Sequence, residues 1–169
     1  MQENFKEFTS EGKKYCIENY SISGEYLNIE EELLKGRKVW VWSDHHFYHT
    51  NIISLSNRNY LDIEHMHREF IKNYNETVSE GDICIWLGDI TFKSTLLFNS
   101  EIYPNFKKTY NILVFGNHDF ENKKIRNLNF DERHLSIELN FMGENIFFTH
   151  LPCHFENQEF INVHGHIHS

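Results

Sequence analysis

Alanine is missing altogether from these 169 residues, whereas Asn, Ile, Phe and Lys are abundant. That bias fits an AT-rich coding genome, bacterial or phage, and carries no chemistry. No apolar run approaches the ~20 residues that a membrane-spanning helix requires. The start, Met1-Gln2-Glu3-Asn4-Phe5, lacks the basic and apolar blocks of a signal peptide. A cytoplasmic protein with no membrane partner is therefore expected. Cysteine is sparse: Cys16, Cys84 and Cys153 are odd in number and far apart, which fits unpaired thiols in a reducing cytosol. Positive charge is short as well, with 16 Lys and Arg against 25 Asp and Glu and a net charge of −9. A partner held through its phosphate backbone normally needs a basic groove, so long nucleic acid is disfavoured.

What is present suffices for a single domain with a real core, since 40% of the residues are hydrophobic and 24% charged. There is no repeat, low-complexity segment or interdomain linker. Residues 1–36 are polar, with Glu30-Glu31-Glu32 ahead of Leu33-Leu34 and Gly36. They read as a partly helical extension that packs on the edge of the domain formed by residues 37–169.

Within that domain, short β-branched and aromatic runs mark strands at 38–42, 83–87 and 110–115. A half-buried strand with Leu135, Ile137 and Leu139 joins 146–148 through a turn at Gly143, and a last strand covers 160–163. Ile63, Met66, Phe70, Tyr74 and Val78 recur at helical spacing between a capping Asp62 and a terminating Gly81. His65 and His67 ride on this helix and are expected to be solvated.

Twelve histidines exceed what composition requires, and many stand at strand ends. Five strands run into Asp44/His46, Asp89, Asn117/His118/Asp119, His150 and His166/His168. In α/β proteins, ligands bind outside the carboxyl ends of strands, so five loops should converge on one site. Gly116 allows the backbone to turn sharply and approach a ligand closely. Imidazole and carboxylate without thiolate suit Mn²⁺, Fe, Ni²⁺ or Zn²⁺. With His118 read as a proton donor and Asp119 as the group that orients it, the seven remaining ligands, the Asn117 amide among them, are too many for one closed site; they fit two ions that share one carboxylate, the arrangement for in-line displacement at phosphorus.

Asp44-x-His46, Gly88-Asp89, Gly116-Asn117-His118-Asp119, His150 and Gly165-His166-x-His168, in that order, resemble the calcineurin-like metallophosphoesterases. The likeness is strongest to small single-domain bacterial and phage members, whose first motif continues into a His-x-Asn such as His49-Thr50-Asn51. The resemblance implies a four-layer α-β-β-α sandwich in which residues 37–169 form the catalytic domain. It also implies that Asp44, His46, Asp89 and His168 hold one metal, and Asp89, Asn117, His150 and His166 the other. Manganese is the first choice of cofactor. His118 then corresponds to a non-ligand histidine that protonates the leaving group, with Asp119 behind it to fix its orientation.

His45, between two ligands, should point away from the metals. His49, Asn51 and Arg58 are candidate phosphate contacts, with loop packing as the alternative. His154 and His164 are expected to be structural or solvated. Phe47, Tyr48, Phe92, Phe120 and Phe155 either pin loops to the core or form an aromatic wall for a nucleobase. The family usually continues beyond the last histidine motif, so His168 is expected to be tied down chiefly by its metal. The reaction expected is hydrolysis of a phosphate ester by metal-bound hydroxide, a phosphodiester or nucleotide being favoured over a monoester. A nuclease and a catalytically idle binding module are the alternatives.

Overall fold

The computed structural model describes residues 6–10, 13–17, 26–121, 128–154 and 159–167. The chain opens with an antiparallel hairpin of β1 (Lys6–Ser10) and β2 (Lys13–Ile17), in which Phe8 stands opposite Tyr15. Strand formers such as Phe8, Thr9, Tyr15 and Ile17 make this hairpin. The helical part expected of the extension is α1 (Ile29–Leu34), capped by the Asn28 side chain on the Glu31 amide.

Two further sheets carry the domain. The first is parallel, in the order β3 (Val39–Trp42), β4 (Ile83–Trp86), β5 (Tyr110–Val114) and β6 (Glu132–His134). The second is mixed: β7 (Ile137–Phe141) and β8 (Glu144–Thr149) are antiparallel, and β9 (Ile161–His164) runs parallel to β8. Alternation along the buried strands feeds two separate cores. Ile83, Ile85, Ile112 and Val114 face Ile137, Leu139 and Phe148 of the second sheet, together with Ile29 of α1. Cys84, Trp86 and Leu113 face the other way, against Tyr74 and Val78 from the 63–78 segment and Phe98 and Ile102 from the 95–105 segment.

Helix α3 (Ile63–Thr77) is capped by Asp62, whose side chain accepts from the His65 amide at 2.7 Å. It stops before Gly81, because Val78 turns to an extended conformation and buries its side chain. A short α2 (Ile52–Leu55) precedes it. After β4 come α4 (Thr95–Leu97), a π-helical turn at Phe98–Ile102 and a 3-10 turn at Tyr103–Asn105. Helix α5 (Asn117–Glu121) follows β5 directly. Among the described residues, Cys84 and Cys153 are free thiols. No helix among them is long and apolar enough to cross a membrane.

Candidate metal centre

Three of the loops leaving the strands are laced together by main-chain hydrogen bonds. The segment after β3 continues a ladder with the segment after β4: Asp44 N donates to Gly88 O (3.2 Å), His46 N to Asp89 O (2.9 Å) and Phe47 N to Ile90 O (2.8 Å). The loop after β9 joins from the other sheet, with Gly165 N on His150 O at 3.0 Å and His166 N on Asp44 Oδ2 at 2.8 Å. A Cβ on Gly116 would lie 2.2 Å from Asp89 Oδ1, and one on Gly165 would lie 1.8 Å from Ser43 Oγ. Only a residue without a side chain permits this approach. Asp44, His46, Tyr48, Asp89 and His166 all take positive φ, between 52° and 72°. Backbone strain of this kind collects at functional sites and persists where the surroundings over-determine it.

The side chains gather in two groups with one member in common. Asp44, His46 and Asp89 offer ligand atoms all within 4.8 Å of one another, and so do Asp89, His150 and His166. Asp89 is almost fully buried; its Oδ2 lies 3.4 Å from His150 Nε2, 3.8 Å from His46 Nε2 and 4.0 Å from His118 Nε2. Asn117 reaches the same place, with Oδ1 2.9 Å from His150 Nε2. His150 Nδ1 faces the Leu87 carbonyl at 2.6 Å, which places the proton on that nitrogen and leaves Nε2 toward the cluster.

Burial alone would raise the pKa of Asp89, but His150, His46 and His118 outweigh it and hold the carboxyl low. Burial likewise opposes charge on Asp44, yet His46, Ser43, His150 and the His166 amide hold it well below the usual carboxylate range. His150 is pushed the other way: burial disfavours its charged form, and Asp89, the Leu87 carbonyl and Asp44 more than offset this and raise its pKa. The carboxylates therefore draw positive charge into the site, and in the protein alone a proton on imidazole supplies it. A divalent cation fits the same demand with a donor set of carboxylate oxygen, amide oxygen and imidazole nitrogen.

Comparison with known proteins agrees with this donor set. A family model described as calcineurin-like phosphoesterase matches residues 37–169. The chain belongs to the calcineurin-like phosphoesterase family. A relative, the uncharacterized protein MJ1445 of Methanocaldococcus jannaschii, is 31% identical over 134 residues, covering 75% of this chain and 76% of its own length. A solved structure, the protein of unknown function AQ665 from Aquifex aeolicus, is similar with a TM-score of 0.57 and 26% identity. That likeness covers 68% of this chain, which spans 60% of the Aquifex protein. Members of this family are metal-dependent phosphoesterases, and this chain carries Asp/His groups whose spacing fits a metal ion.

The remaining candidates separate cleanly. His118 follows β5 with a side chain 40% exposed, whereas the imidazoles of His46 and His150 are 2% exposed and His166 is half-buried. Phe92, 38% exposed, lies against His118 at 4.7 Å between centroids and stacks on His49 at 3.9 Å. His45 points into the core among Trp42, Phe47, Phe70 and Trp86, and burial pushes its pKa down to about 3. Phe47 is a core residue, and Asn51 sits exposed at the start of α2. His154 is exposed, and His164 Nδ1 lies 2.9 Å from Gly165 O. His168, Phe155 and the Phe120 side chain lie outside the described residues.

Three further residues serve the main chain. The fully buried Asp119 carboxylate accepts from the amides of Gly116 (2.8 Å), Asp89 (2.8 Å) and Ile90 (3.3 Å). It thereby bolts the loop after β5 to the loop after β4, and burial raises its pKa to about 6. Arg58 packs the loop, the alternative weighed for it: its guanidinium donates to main-chain carbonyls, Nη2 to Asp44 O (2.6 Å) and Nη1 to His45 O (3.2 Å). His67 is buried and accepts from the Tyr48 amide at 2.9 Å. The signal that could have found it is the donor left over where a chain turns through positive φ at Tyr48.

Proposed function

We propose that this protein hydrolyses small phosphate esters at a centre of two divalent metal ions, with a phosphodiester or nucleotide favoured over a monoester. The observation that carries the reading is the pair of ligand groups sharing Asp89. In this reading Asp44, His46, Asp89 and His168 hold one ion, and Asp89, Asn117, His150 and His166 the other. Such ions, with manganese preferred and iron, nickel or zinc as alternatives, supply Lewis acidity toward the phosphoryl oxygens and an activated water. Residues 37–169 form the catalytic domain, as an α-β-β-α sandwich, and residues 1–36 pack on it as an extension. The setting is the cytoplasm of a bacterium or of a phage host.

The protein's own residues do the rest. His118 stands at the open side of the cluster, where its Nε2 can hold a proton for a departing alkoxide. That is the need of a diester with a poor leaving group. Its amide donates to Asp89 Oδ1 at 3.1 Å, so the proton donor and the shared carboxylate are fixed to each other. Phe92 packs against His118, His46 and His49 and limits their freedom. The acidic balance, −9 overall, counts against a nuclease acting on long chains.

The test is turnover of bis-p-nitrophenyl phosphate and p-nitrophenyl phosphate across a metal series, with and without chelator. Metal-dependent hydrolysis with the diester ahead is expected. No turnover with any metal, in protein that binds two ions, would replace the enzyme with a binding module.

A further inference from the structure

Arg58, in the turn before α3, and His67, on α3, lie outside the five motifs quoted above, yet both bond to the backbone that presents Asp44 and His46. That backbone is unusual: φ is +55° at Asp44, +52° at His46 and +65° at Tyr48, an alternation of left-handed residues over five positions. For residues with a Cβ such geometry costs on the order of 1 kcal/mol or more each. One edge of the segment is satisfied by the ladder to 88–92, including Phe92 N on Phe47 O at 3.0 Å. On the other edge the Asp44 and His45 carbonyls and the Tyr48 amide bond to side chains. Arg58 takes both carbonyls in one planar fork, and its guanidinium also lies over the Phe70 ring, 5.9 Å from the centroid. His67 Nε2 takes the Tyr48 amide, which requires a neutral ring protonated on Nδ1. His67 is itself wedged against Phe47 and Tyr48, with ring centroids 5.2 and 4.9 Å away.

We propose that Arg58 and His67 are positioning residues, a two-point clamp that holds the left-handed segment 44–48 so that Asp44 and His46 face Asp89. The proposal rests on the reading of Asp44 and His46 as metal ligands. The fork is specific to arginine: a lysine ammonium is a single point and cannot span two carbonyls in the same geometry. The clamp acts on one ligand group only. Asp89 and His150 are held from elsewhere, by Asp119 and the Leu87 carbonyl.

Two measurements on the full chain test this. In metal-free protein, amide hydrogen exchange over 43–49 should speed up in Arg58→Ala and His67→Phe, while exchange over 112–119 stays as in the parent. Arg68→Ala, an exposed position on the same helix, should change neither. In a manganese titration, the binding step that is missing in Asp44→Asn should weaken roughly 10–100-fold in Arg58→Ala, the usual cost of losing support behind a metal ligand. The other step should hold within about twofold. Arg58→Lys should fall between parent and Ala, and added guanidinium should restore part of the loss in Arg58→Ala. If Arg58→Ala does not fold, Arg58→Lys and His67→Phe give the same readings. Unchanged exchange over 43–49 would overturn the clamp, as would equal weakening of both steps. A parent that binds no manganese would overturn the two-metal reading instead, with the exchange data still deciding the clamp.

Discussion

The two ends of the parallel sheet β3–β6 both bury polar side chains, and they are built on opposite terms. Toward the amino end, Asn111 Oδ1 accepts from Trp86 Nε1 (2.9 Å), Thr109 Oγ1 (3.1 Å) and Tyr74 Oη (3.2 Å), and its Nδ2 donates to Tyr103 Oη (3.2 Å) and Thr109 O (3.1 Å). The network is neutral, and no non-glycine residue in it takes positive φ. At the carboxyl end, Asp44 and Asp89 confront several imidazoles across 3.4–4.0 Å on a backbone with left-handed residues at 44, 46, 48 and 89. One end satisfies its valences internally; the other points carboxylates and nitrogen lone pairs at a common space. Buried polarity by itself therefore does not mark a site. Convergent acceptors on a strained backbone do.

The sharpest way to break this contrast is Asp89→Asn. It removes the charge common to both ligand groups, so turnover should be abolished and both ions should bind more weakly, as elemental analysis would report. Two retained ions with parental activity would end the bridging assignment. Next in size is His118→Ala, which should keep both ions and lose roughly 10²–10⁴ in rate. The loss should shrink for a nitrophenolate leaving group, which needs no proton. Loss of metal along with activity would make His118 a ligand.

Substitutions at the two ends should then differ in kind. Asn111→Ala leaves the Trp86 indole N–H without its acceptor and opens a void, for roughly 3 kcal/mol of stability. Metal affinity and the specific activity of the folded protein should not move. Asp119→Asn should cost less, about 2 kcal/mol, since one amide oxygen replaces a carboxylate that takes three backbone donors. It should also weaken metal binding, because the loop carrying Asp89 loses its bolt. Urea denaturation in chelator, paired with a manganese titration, separates the two outcomes.

The carboxyl-end site was legible because each of its members directly follows a short apolar strand, and Gly88, Gly116 and Gly165 mark where the loops touch. The helix at 63–77 was legible from its period and its Asp62 cap. Strand β6 was not: Glu132-Arg133-His134 carries no apolar alternation, and it is a strand because Glu132 and His134 satisfy each other and pair with Ile112 and Val114. The tasks of Asp119, Arg58 and His67 were hidden for a different reason. Each serves main-chain groups far away in sequence, and those groups need partners only because of turns that no local pattern announces.

The smallest expected effect tests whether charge itself, rather than the convergence of acceptors, separates the two ends. Glu132 is a carboxylate at the amino end of the sheet, buried like Asp89 but fully answered by donors. Its Oε1 accepts from Leu27 N (2.6 Å) and Tyr110 Oη (2.8 Å), and its Oε2 lies 2.7 Å from His134 Nε2. Burial works to raise its pKa, and the His134, Leu27 and Tyr110 contacts outweigh that and lower it. A carboxyl lowered in the folded state contributes stability above its unfolded pKa and loses it as the pH falls through the folded value. Glu132→Gln keeps the shape and one accepting oxygen, and its amide can donate to His134 Nε2 in the Nδ1–H tautomer. The cost at pH 7 should therefore be only about 1 kcal/mol, the charge-assisted share of the bonds. That difference should close as the pH falls below the ordinary glutamate range near ~4.3, where the parent is protonated too. Chemical denaturation of parent and variant from pH 7 down to acid reads it directly, and a gap that persists unchanged in acid would mean that shape, not charge, holds Glu132.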